Sequence, residues 1–343
     1  MSAPRVSFEP LDLPLRDPFG ISRRTTTVAR NVLVRVQWEG LIGLGECAPN
    51  AYYGESQEGV LAWLPRLAEA LATYDDPLAI RAVVEDWERG THGNPAARAG
   101  LELALWDLLG KRHDAPIWAL WGLGGELPPS SFTIGIDTPE RMAEKASAAR
   151  EFPLLKVKVG TPNDAANLRA VREARHDAAI RVDANGAWYA KEALAALRAL
   201  EPFGLELVEQ PVRSGDLEGL ALVTREIDLP VYADEGCVTA ADVPKVSGRC
   251  DGVVVKLQKC GGILRALEHI QTARAHGLKV MLGCMVESGL GISAAAQLSP
   301  LCDSLDLDGN LLLAHDPFDG ATAHRGQLGL PEGPGLGATP KES

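Results

Sequence analysis

Five apolar segments in the middle of the chain end in a charged residue, and these residues recur at a nearly constant interval. They follow one another after 25, 26, 25 and 22 residues. A strand, a helix and their two connections take about that many residues, so each interval is interpreted as one β/α unit. Charged side chains at the carboxyl ends of successive strands are typical of a TIM-type barrel, which builds its active site there. The five residues are Lys158, Asp183, Glu209, Asp234 and Lys256.

Strand-like and helix-like segments alternate from residue 131 onwards. This alternation predicts a parallel, right-handed, closed sheet in residues 126–315. The tail, residues 316–343, is rich in Gly and Pro and has no helical period, so we expect it to return to the first domain. The eight strands are predicted at 132–135, 154–159, 180–183, 205–209, 231–234, 252–257, 279–282 and 304–308.

The first 125 residues lack this alternation and predict a separate α+β domain. Residues 18–30, PFGISRRTTTVAR, are interpreted as a polar loop between two strands, and residues 40–56 as a loop that carries Tyr52 and Tyr53. The second loop is either a surface connection or a lid over a site, since long aromatic loops often cover sites. The predicted strands are 5–15 and 30–38, and the predicted helices are 56–73 and 94–112.

Two lysines lie two residues apart in the second barrel strand, LLKVKVG. Because side chains alternate between the faces of a strand, Lys156 and Lys158 point to one face, and Leu155, Val157 and Val159 point to the other. Burying two ammonium groups in an apolar strand costs free energy unless an anion or a transferable proton lies in front of them. Crowded, desolvated lysines have lowered pKa values, so we expect Lys156 to lower the pKa of Lys158 and make it a base near neutral pH.

Three carboxylates, Asp183, Glu209 and Asp234, end three consecutive strands. Acids that converge at one end of a barrel repel one another unless a cation lies among them, and hard oxygen ligands suit Mg²⁺. Each acid taken singly is better explained by pairing with a lysine. The common spacing of all three acids, in phase with the lysines, favours one Mg²⁺ ion bound by the set.

Lys158 and Lys256 lie on the second and the sixth predicted strand, which are opposite walls of an eight-stranded barrel. A substrate carboxylate bound to Mg²⁺ between them would present one face of its α-carbon to each lysine. The metal would stabilise the enediolate that forms when the α-proton leaves, while a lysine accepts the proton. The pattern therefore predicts proton transfer at the carbon next to a carboxylate.

Seven short motifs carry a family resemblance: KVK at 156–158, DAN at 183–185, EQP at 209–211, ADE at 233–235, KLQKCGG at 256–262, ALWDLLG at 104–110 and PGLG at 334–337. They are similar to those of the enolase superfamily, muconate-lactonising-enzyme subgroup, over nearly the whole chain.

That resemblance implies a modified TIM barrel, (β/α)7β, with an N-terminal α+β capping domain completed by the C-terminal tail. It implies that Lys158 and Lys256 are the acid/base catalysts, assisted by Lys156, and that the three acids bind Mg²⁺. Asn185 and Glu235 would support the metal ligands from outside.

The eighth strand reads SLDLDGN, so Asp306 and Asp308 face the same way, towards the barrel mouth. Taken alone, a DxDG sequence is also typical of a solvated turn. A DxD on this strand, however, resembles the dipeptide epimerases of the subgroup, in which it binds the N-terminal ammonium group of the substrate. The resemblance implies this role for both aspartates.

Three further pocket residues are implied by the same resemblance. Arg24 is similar in position to an arginine that meets the side-chain carboxylate of a C-terminal Glu in L-Ala-D/L-Glu epimerases, although a one-residue slip would make it Arg23, and an arginine in a polar loop can also be merely solvated. Thr133 resembles a position near the substrate backbone. Cys284 is interpreted as a small residue of the pocket wall and not as a nucleophile, since it has no neighbouring His in the sequence.

Composition restricts the partners and the compartment. A formal net charge of −12 argues against nucleic acid and anionic membrane as partners. The first 15 residues show no signal-peptide pattern, and no segment approaches the length of a transmembrane helix. The six cysteines form no CxxC pair, which predicts reduced thiols and a cytoplasmic protein. Barrels of this family commonly associate, so a homo-oligomer is expected.

We therefore expect an isomerase that epimerises an L-Ala-D/L-Glu-like dipeptide at the α-carbon of its C-terminal residue, by two-base 1,1-proton transfer with one Mg²⁺ per subunit. Turnover of cell-wall peptide is the role that the family implies. Two alternatives remain. The first is another reaction on the same scaffold: N-acylamino-acid racemase, o-succinylbenzoate synthase or cycloisomerase. The second is a catalytically silent barrel that binds a carboxylate ligand or serves in an assembly.

Overall fold

The computed structural model describes residues 3–90 and 93–342. Residues 5–47 form an antiparallel sheet in the order β1 (Arg5–Ile21), β2 (Arg24–Trp38) and β3 (Leu41–Cys47). The prediction of a polar loop at 18–30 is wrong, because β1 and β2 continue as a hairpin until Ile21 pairs with Arg24. The run of Thr and Val after the turn suits a strand, since β-branched side chains pack well on a pleated surface.

Helices pack on one face of this sheet and build the core of the first domain. They are α1 (Gln57–Leu71), α2 (Ile80–Gly90) and α3 (Pro95–Arg112), so the two predicted helices are confirmed and α2 was missed. Gly43 and Gly45 of β3 allow α3 to lie against the strand, because a Cβ at either position would stand 2.0 Å from a backbone oxygen of α3. Such a close approach is open only to glycine.

Residues 132–306 contain a sheet of eight parallel strands, in sequence order from one edge to the other. Its two edges also meet, since the N–H of Ser131 donates to the carbonyl of Leu305 at 3.3 Å. The result is a nearly closed barrel, and each predicted strand is confirmed to within a few residues at its ends. The strands are β4 (Phe132–Ile134), β5 (Leu154–Lys158), β6 (Ala179–Asp183), β7 (Leu205–Glu209), β8 (Val231–Ala233), β9 (Gly252–Val255), β10 (Lys279–Gly283) and β11 (Ser304–Asp306).

Helices cover the outside of the barrel and bury the outward-facing valines and leucines of the strands. Among the described residues, no helix is both long and apolar enough to cross a membrane. The helices are α4 (Ile117–Leu120), α5 (Pro139–Ala148), α6 (Asp164–Ala174), α7 (Ala190–Leu200), α8 (Leu217–Glu226), α9 (Val243–Val246), α10 (Leu257–Cys260), α11 (Ile263–Ala275) and α12 (Gly289–Ala296), with 3₁₀ turns at Ala51–Tyr53, Glu201–Phe203, Ala240–Asp242, Ser299–Leu301 and Gly309–Leu312.

The C-terminal tail contacts the first domain. The N–H of Leu336 donates to Asp107 Oδ1 of α3 at 2.9 Å, and the N–H of Ile117 donates to the carbonyl of Gly335 at 3.3 Å. Gly335 has φ +73° and lies too close to Asp107 for any side chain. Domain boundaries at residues 125 and 315 stay a prediction. The tail contains short strand pairs, β12 (Phe318–Asp319) with β15 (Thr339–Pro340) and β13 (Ala323–His324) with β14 (Gln327–Leu328).

A buried polar cluster joins the first domain to the barrel. Glu46 of β3 accepts hydrogen bonds from Asn31 Nδ2 at 2.7 Å and from the N–H groups of Ser288 at 3.1 Å and Gly291 at 3.2 Å. It therefore caps the first turn of α12 from another domain. Gln258 of α10 donates to the carbonyl of Glu46 at 2.9 Å. These bonds fix the segment after β10, which carries Cys284, against the first domain.

Candidate active site

Strand β5 places two lysines inside the barrel. Lys156 and Lys158 are 2% and 7% exposed, and Leu155 and Val157 on the other face are buried in the core beneath the helices. The alternation of strand side chains therefore acts as predicted. Lys158 Nζ donates to Asp183 Oδ2 at 2.5 Å.

Lys156 stands among three carboxylates. Its Nζ lies 2.6 Å from Asp306 Oδ2, 2.7 Å from Glu209 Oε2 and 3.1 Å from Asp183 Oδ2. Burial alone would lower the pKa of Lys156, but the three acids outweigh burial and raise it well above its ordinary value. The general expectation of lowered lysine pKa values is therefore wrong for Lys156, because the lysine's nearest charges are carboxylates and not the other ammonium groups.

The three predicted metal ligands end neighbouring strands and are almost completely buried. Asp183 ends β6, Glu209 ends β7 and Asp234 follows β8. Although burial favours their neutral forms, the lysines hold the pKa of Asp183 and that of Asp234 well below the usual range. Burial and the charge of Asp183 instead raise the pKa of Glu209 to about 8.

Glu209 supplies the observation that fits a cation. Neither of its carboxylate oxygens accepts a hydrogen bond of acceptable geometry from any described residue, although both are buried. Buried oxygens of this kind are costly unless they are paired or bind a metal. In the described part of the chain no three Asp, Glu, His or Cys side chains already form a metal-binding cluster, and Lys156 lies between Asp183 and Glu209. The donor set, carboxylates only, suits Mg²⁺.

Lys256 directly follows β9, on the sixth strand of the barrel. It is 7% exposed, and its Nζ donates to Asp234 Oδ2 at 2.8 Å. Burial opposes its charge, but Asp234 and Glu209 raise the pKa of Lys256 above its ordinary value. Lys158 and Lys256 therefore lie on different strands, and each contacts a different one of the three strand-end acids.

Two residues for which no role was predicted hold Asp234 in place. Lys259, 1% exposed, donates to Asp234 Oδ1 at 2.8 Å and to three backbone oxygens at 2.7–2.9 Å. Gln210 Oε1 accepts from the N–H groups of Asp234 and Gly236, both at 2.9 Å. The sequence signal for Lys259 is a second lysine in KLQKCGG, close behind the apolar residues 252–255, where an exposed charge would not be expected.

Asn185 and Glu235 lie beside two of the predicted metal ligands. The N–H of Asn185 donates to Asp183 Oδ1 at 2.8 Å, and its Nδ2 lies 3.3 Å from Glu235 Oε1. Asn185 has φ +47°, a left-handed conformation that Asn tolerates better than most residues. Both side chains are buried at the strand ends, and Asn185 also contacts Asp183 directly.

The two aspartates of the eighth strand lie within the site. Asp306 accepts from Lys156 at 2.6 Å and from Ser131 Oγ at 2.5 Å, and Asp308 Oδ2 accepts from the N–H of Thr133 at 2.6 Å. Burial and the charge of Asp306 raise the pKa of Asp308 to about 7. Burial by itself would also raise the pKa of Asp306, but its neighbours, chiefly Lys156, lower it. Cys284 Sγ lies 3.3 Å from the Asp306 carbonyl, and burial raises its pKa well above the ordinary value, which makes the thiol less reactive.

The hairpin tip gives its two arginines different positions. Arg23 Nη2 donates to Glu235 Oε1 at 2.7 Å, whereas Arg24 forms no ion pair and donates no side-chain hydrogen bond within the described residues. Burial and the charge of Arg23 lower the pKa of Arg24. Both arginines border a cavity of about 530 Å³ between the first domain and the barrel mouth. The cavity wall also includes Tyr53, Lys158, Lys256, Cys284 and Asp308.

Comparison with known proteins agrees with this arrangement. Residues 6–122 match the N-terminal domain of mandelate racemase / muconate lactonizing enzyme, and residues 140–343 match the enolase C-terminal domain-like family. The chain is 37% identical to the L-Ala-D/L-Glu epimerase of Bacteroides thetaiotaomicron, over 97% of this chain and 87% of that protein.

Two solved structures resemble it closely. One is the dipeptide epimerase of Enterococcus faecalis complexed with Mg and L-Leu-L-Tyr, with TM-score 0.93 and 35% identity over 99% of this chain and 100% of that one. The other is the N-succinyl Arg/Lys racemase of Bacillus cereus, with TM-score 0.93 and 31% identity over 99% and 96%. The chain belongs to the enolase superfamily, in its muconate-lactonizing-enzyme subgroup.

Proposed function

We propose that this protein is a magnesium-dependent dipeptide epimerase that inverts the α-carbon of the C-terminal residue. The observation that carries the proposal is the pair Lys158 and Lys256. The two lysines come from the second and the sixth strand of the barrel, each is nearly buried, and each donates to a different acid of one cluster. Two lysines on either side of one substrate carbon can remove a proton from one face and return a proton to the other.

The three strand-end acids would hold the metal, and Glu209, whose only described partner is Lys156 at 2.7 Å from Oε2, would gain a metal partner. Bound Mg²⁺ would supply the positive charge that stabilises the substrate carboxylate as the α-proton leaves. Lys158 and Lys256 take and return the proton at their Nζ atoms. Lys259 and Gln210 keep the carboxylate and the backbone of Asp234 in position.

The eighth strand favours a free N-terminal ammonium group on the substrate. Asp306 and Asp308 carry two carboxylates at the cavity wall, and Lys156 is the nearest cation to Asp306. An ammonium group would therefore meet an excess of negative charge at this end of the cavity. An N-succinyl or N-acyl amino acid brings no such cation, so Asp306→Ala together with Asp308→Ala should affect it little.

Arg24 favours an acidic C-terminal residue. It is the hairpin arginine that borders the cavity without an ion pair in the described part of the chain, and a guanidinium pairs well with a carboxylate. Relatives at similar identity include L-Ala-D/L-Glu epimerases and hydrophobic dipeptide epimerases, so the family alone does not decide between them. We propose L-Ala-D/L-Glu as the preferred substrate, used in turnover of cell-wall peptide by a cytoplasmic homo-oligomer.

The test is proton NMR of L-Ala-L-Glu in D₂O with protein and Mg²⁺, beside L-Ala-L-Leu and an N-succinyl amino acid. Loss of the Glu α-proton signal together with signals of the second diastereomer is the expected result. Turnover of the N-succinyl compound alone, unaffected by loss of Asp306 and Asp308, would move the assignment to the N-acylamino-acid racemases. No exchange with any substrate would leave the catalytically silent barrel.

A further inference from the structure

The tip of the β1–β2 hairpin is fastened to the barrel at the ends of two strands. Ser22 Oγ donates to the carbonyl of Ala184 at 3.1 Å. Arg23 next to it donates through Nη1 to the carbonyl of Asn185 and through Nη2 to Glu235 Oε1 at 2.7 Å. The hairpin therefore contacts the segment that directly follows Asp183, at the end of β6, and the segment after β8 that contains Asp234.

The same arginine joins the hairpin to the segment that follows β3 and carries Tyr52. Its guanidinium lies over the ring of Tyr52, 4.1 Å from the centroid. The Tyr52 hydroxyl donates in turn to Ser214 Oγ, in the segment after β7, at 2.7 Å. Arg23 thus links two segments of the first domain, and each of them also has its own bond to the barrel.

Charge and packing make this contact specific. The side chain of Glu235 is 3% exposed, and its other oxygen has no hydrogen-bond partner among the described residues. Without Arg23 this buried carboxylate would lose its guanidinium partner, which is unfavourable in a buried position. The fit is close as well, because a Cβ at Gly160 would lie 2.9 Å from the Cβ of Ser22.

We infer that Arg23 is a positioning residue that holds the hairpin tip and the segment carrying Tyr52 closed over the cavity. This inference rests on the proposed function for its kinetic consequence. Both terminal nitrogens of Arg23 donate to protein oxygens. Arg23 therefore acts on the hairpin tip and the Tyr52 segment, together called the lid, and not on the side chain of the substrate. Arg24, one residue further, is the cation left for the substrate.

The kinetic test compares Arg23→Met with Arg24→Met on L-Ala-L-Glu and L-Ala-L-Leu. If Arg23 closes the lid, its loss raises KM for both dipeptides by a similar factor, about tenfold, with a smaller change in kcat. Loss of Arg24 instead acts mainly on the acidic dipeptide. Arg23→Lys keeps a charge opposite Glu235 and should restore part of the affinity. An increase in KM for L-Ala-L-Glu alone in Arg23→Met would overturn the inference and make Arg23 a substrate ligand.

A second measurement needs no substrate. Hydrogen–deuterium exchange of the amides in residues 18–28 should be faster in Arg23→Met and in Glu235→Gln than in the wild type, whereas exchange in α11 should not change. Unchanged exchange at the hairpin tip refutes the inference whatever the activity. If the wild type acts on neither dipeptide, the proposed function fails, and the exchange experiment still decides whether Arg23 closes the lid.

Discussion

Glu102 offers a test of the folded structure that is independent of catalysis. It is completely buried in α3, where α3 meets the start of α11. Its Oε1 accepts from Trp106 Nε1 at 2.7 Å and from the N–H of Leu264 at 2.8 Å, while Oε2 is buried without a partner among the described residues. Burial raises the pKa of Glu102 from its ordinary 4.5 to about 7, against these two hydrogen bonds. Glu102→Gln keeps an acceptor oxygen and removes the ionisable group.

The direction of the pH dependence of stability follows from which state, folded or unfolded, binds the proton of Glu102 more tightly. The folded protein holds the proton of Glu102 more tightly than the unfolded chain, so the stabilising contribution is complete below pH 4.5 and is lost as the pH rises through about 7. One pKa unit corresponds to about 1.4 kcal/mol. The wild type should therefore lose about 3 kcal/mol of unfolding free energy at this position between those limits, and Glu102→Gln should not.

Urea unfolding at about pH 5 and about pH 8 measures the effect. The unfolding free energy of Glu102→Gln relative to wild type should rise by about 2.5 kcal/mol from the lower to the higher pH. Leu101→Ala is the control, because it changes a fully buried neighbour that does not ionise, and its difference from wild type should not depend on pH. A Glu102→Gln difference that also stays constant would refute the assignment of a raised pKa to Glu102.

Three further predictions concern the site. Lys158→Ala and Lys256→Ala should each slow epimerisation by about 10²–10⁴-fold. Each should still exchange the α-proton of one diastereomer in D₂O, and loss of exchange from both would contradict the two-base assignment. Lys259→Met should lower the unfolding free energy by about 3–5 kcal/mol, because it leaves a buried carboxylate oxygen of Asp234 unpaired. The same variant should bind Mg²⁺ more weakly in calorimetry. Unchanged Mg²⁺ affinity would show that Lys259 does not position this acid. Removal of divalent ions with EDTA should abolish activity, and Mg²⁺ at about 100 times its Kd should restore it. The same Mg²⁺ concentration should stabilise the fold by about 3 kcal/mol. A melting temperature that does not change with Mg²⁺ would argue against the site.

The barrel and the position of its charged strand-end residues could be predicted from the sequence because both depend on short-range periodicity. A strand turns its side chains alternately to each face, so the spacing of Lys156 and Lys158 is enough to place both inside. A β/α unit has a nearly constant length, so acids that recur at that interval meet at one end of the sheet. Asp183, Glu209 and Asp234 therefore cluster without any knowledge of distant contacts.

The tertiary structure alone decided which partner each charged group meets. Lys156 and Asp306 are 150 residues apart, and their 2.6 Å contact reverses the pKa change expected for crowded lysines. Lys259 holds Asp234 from 25 residues away, and Arg23 reaches Glu235 across 212 residues. A hairpin tip has no period that tells two adjacent arginines apart, so only its docking on the barrel separates Arg23 from Arg24. Periodicity determines which face of an element a side chain occupies, whereas long-range packing determines the charge it finds there.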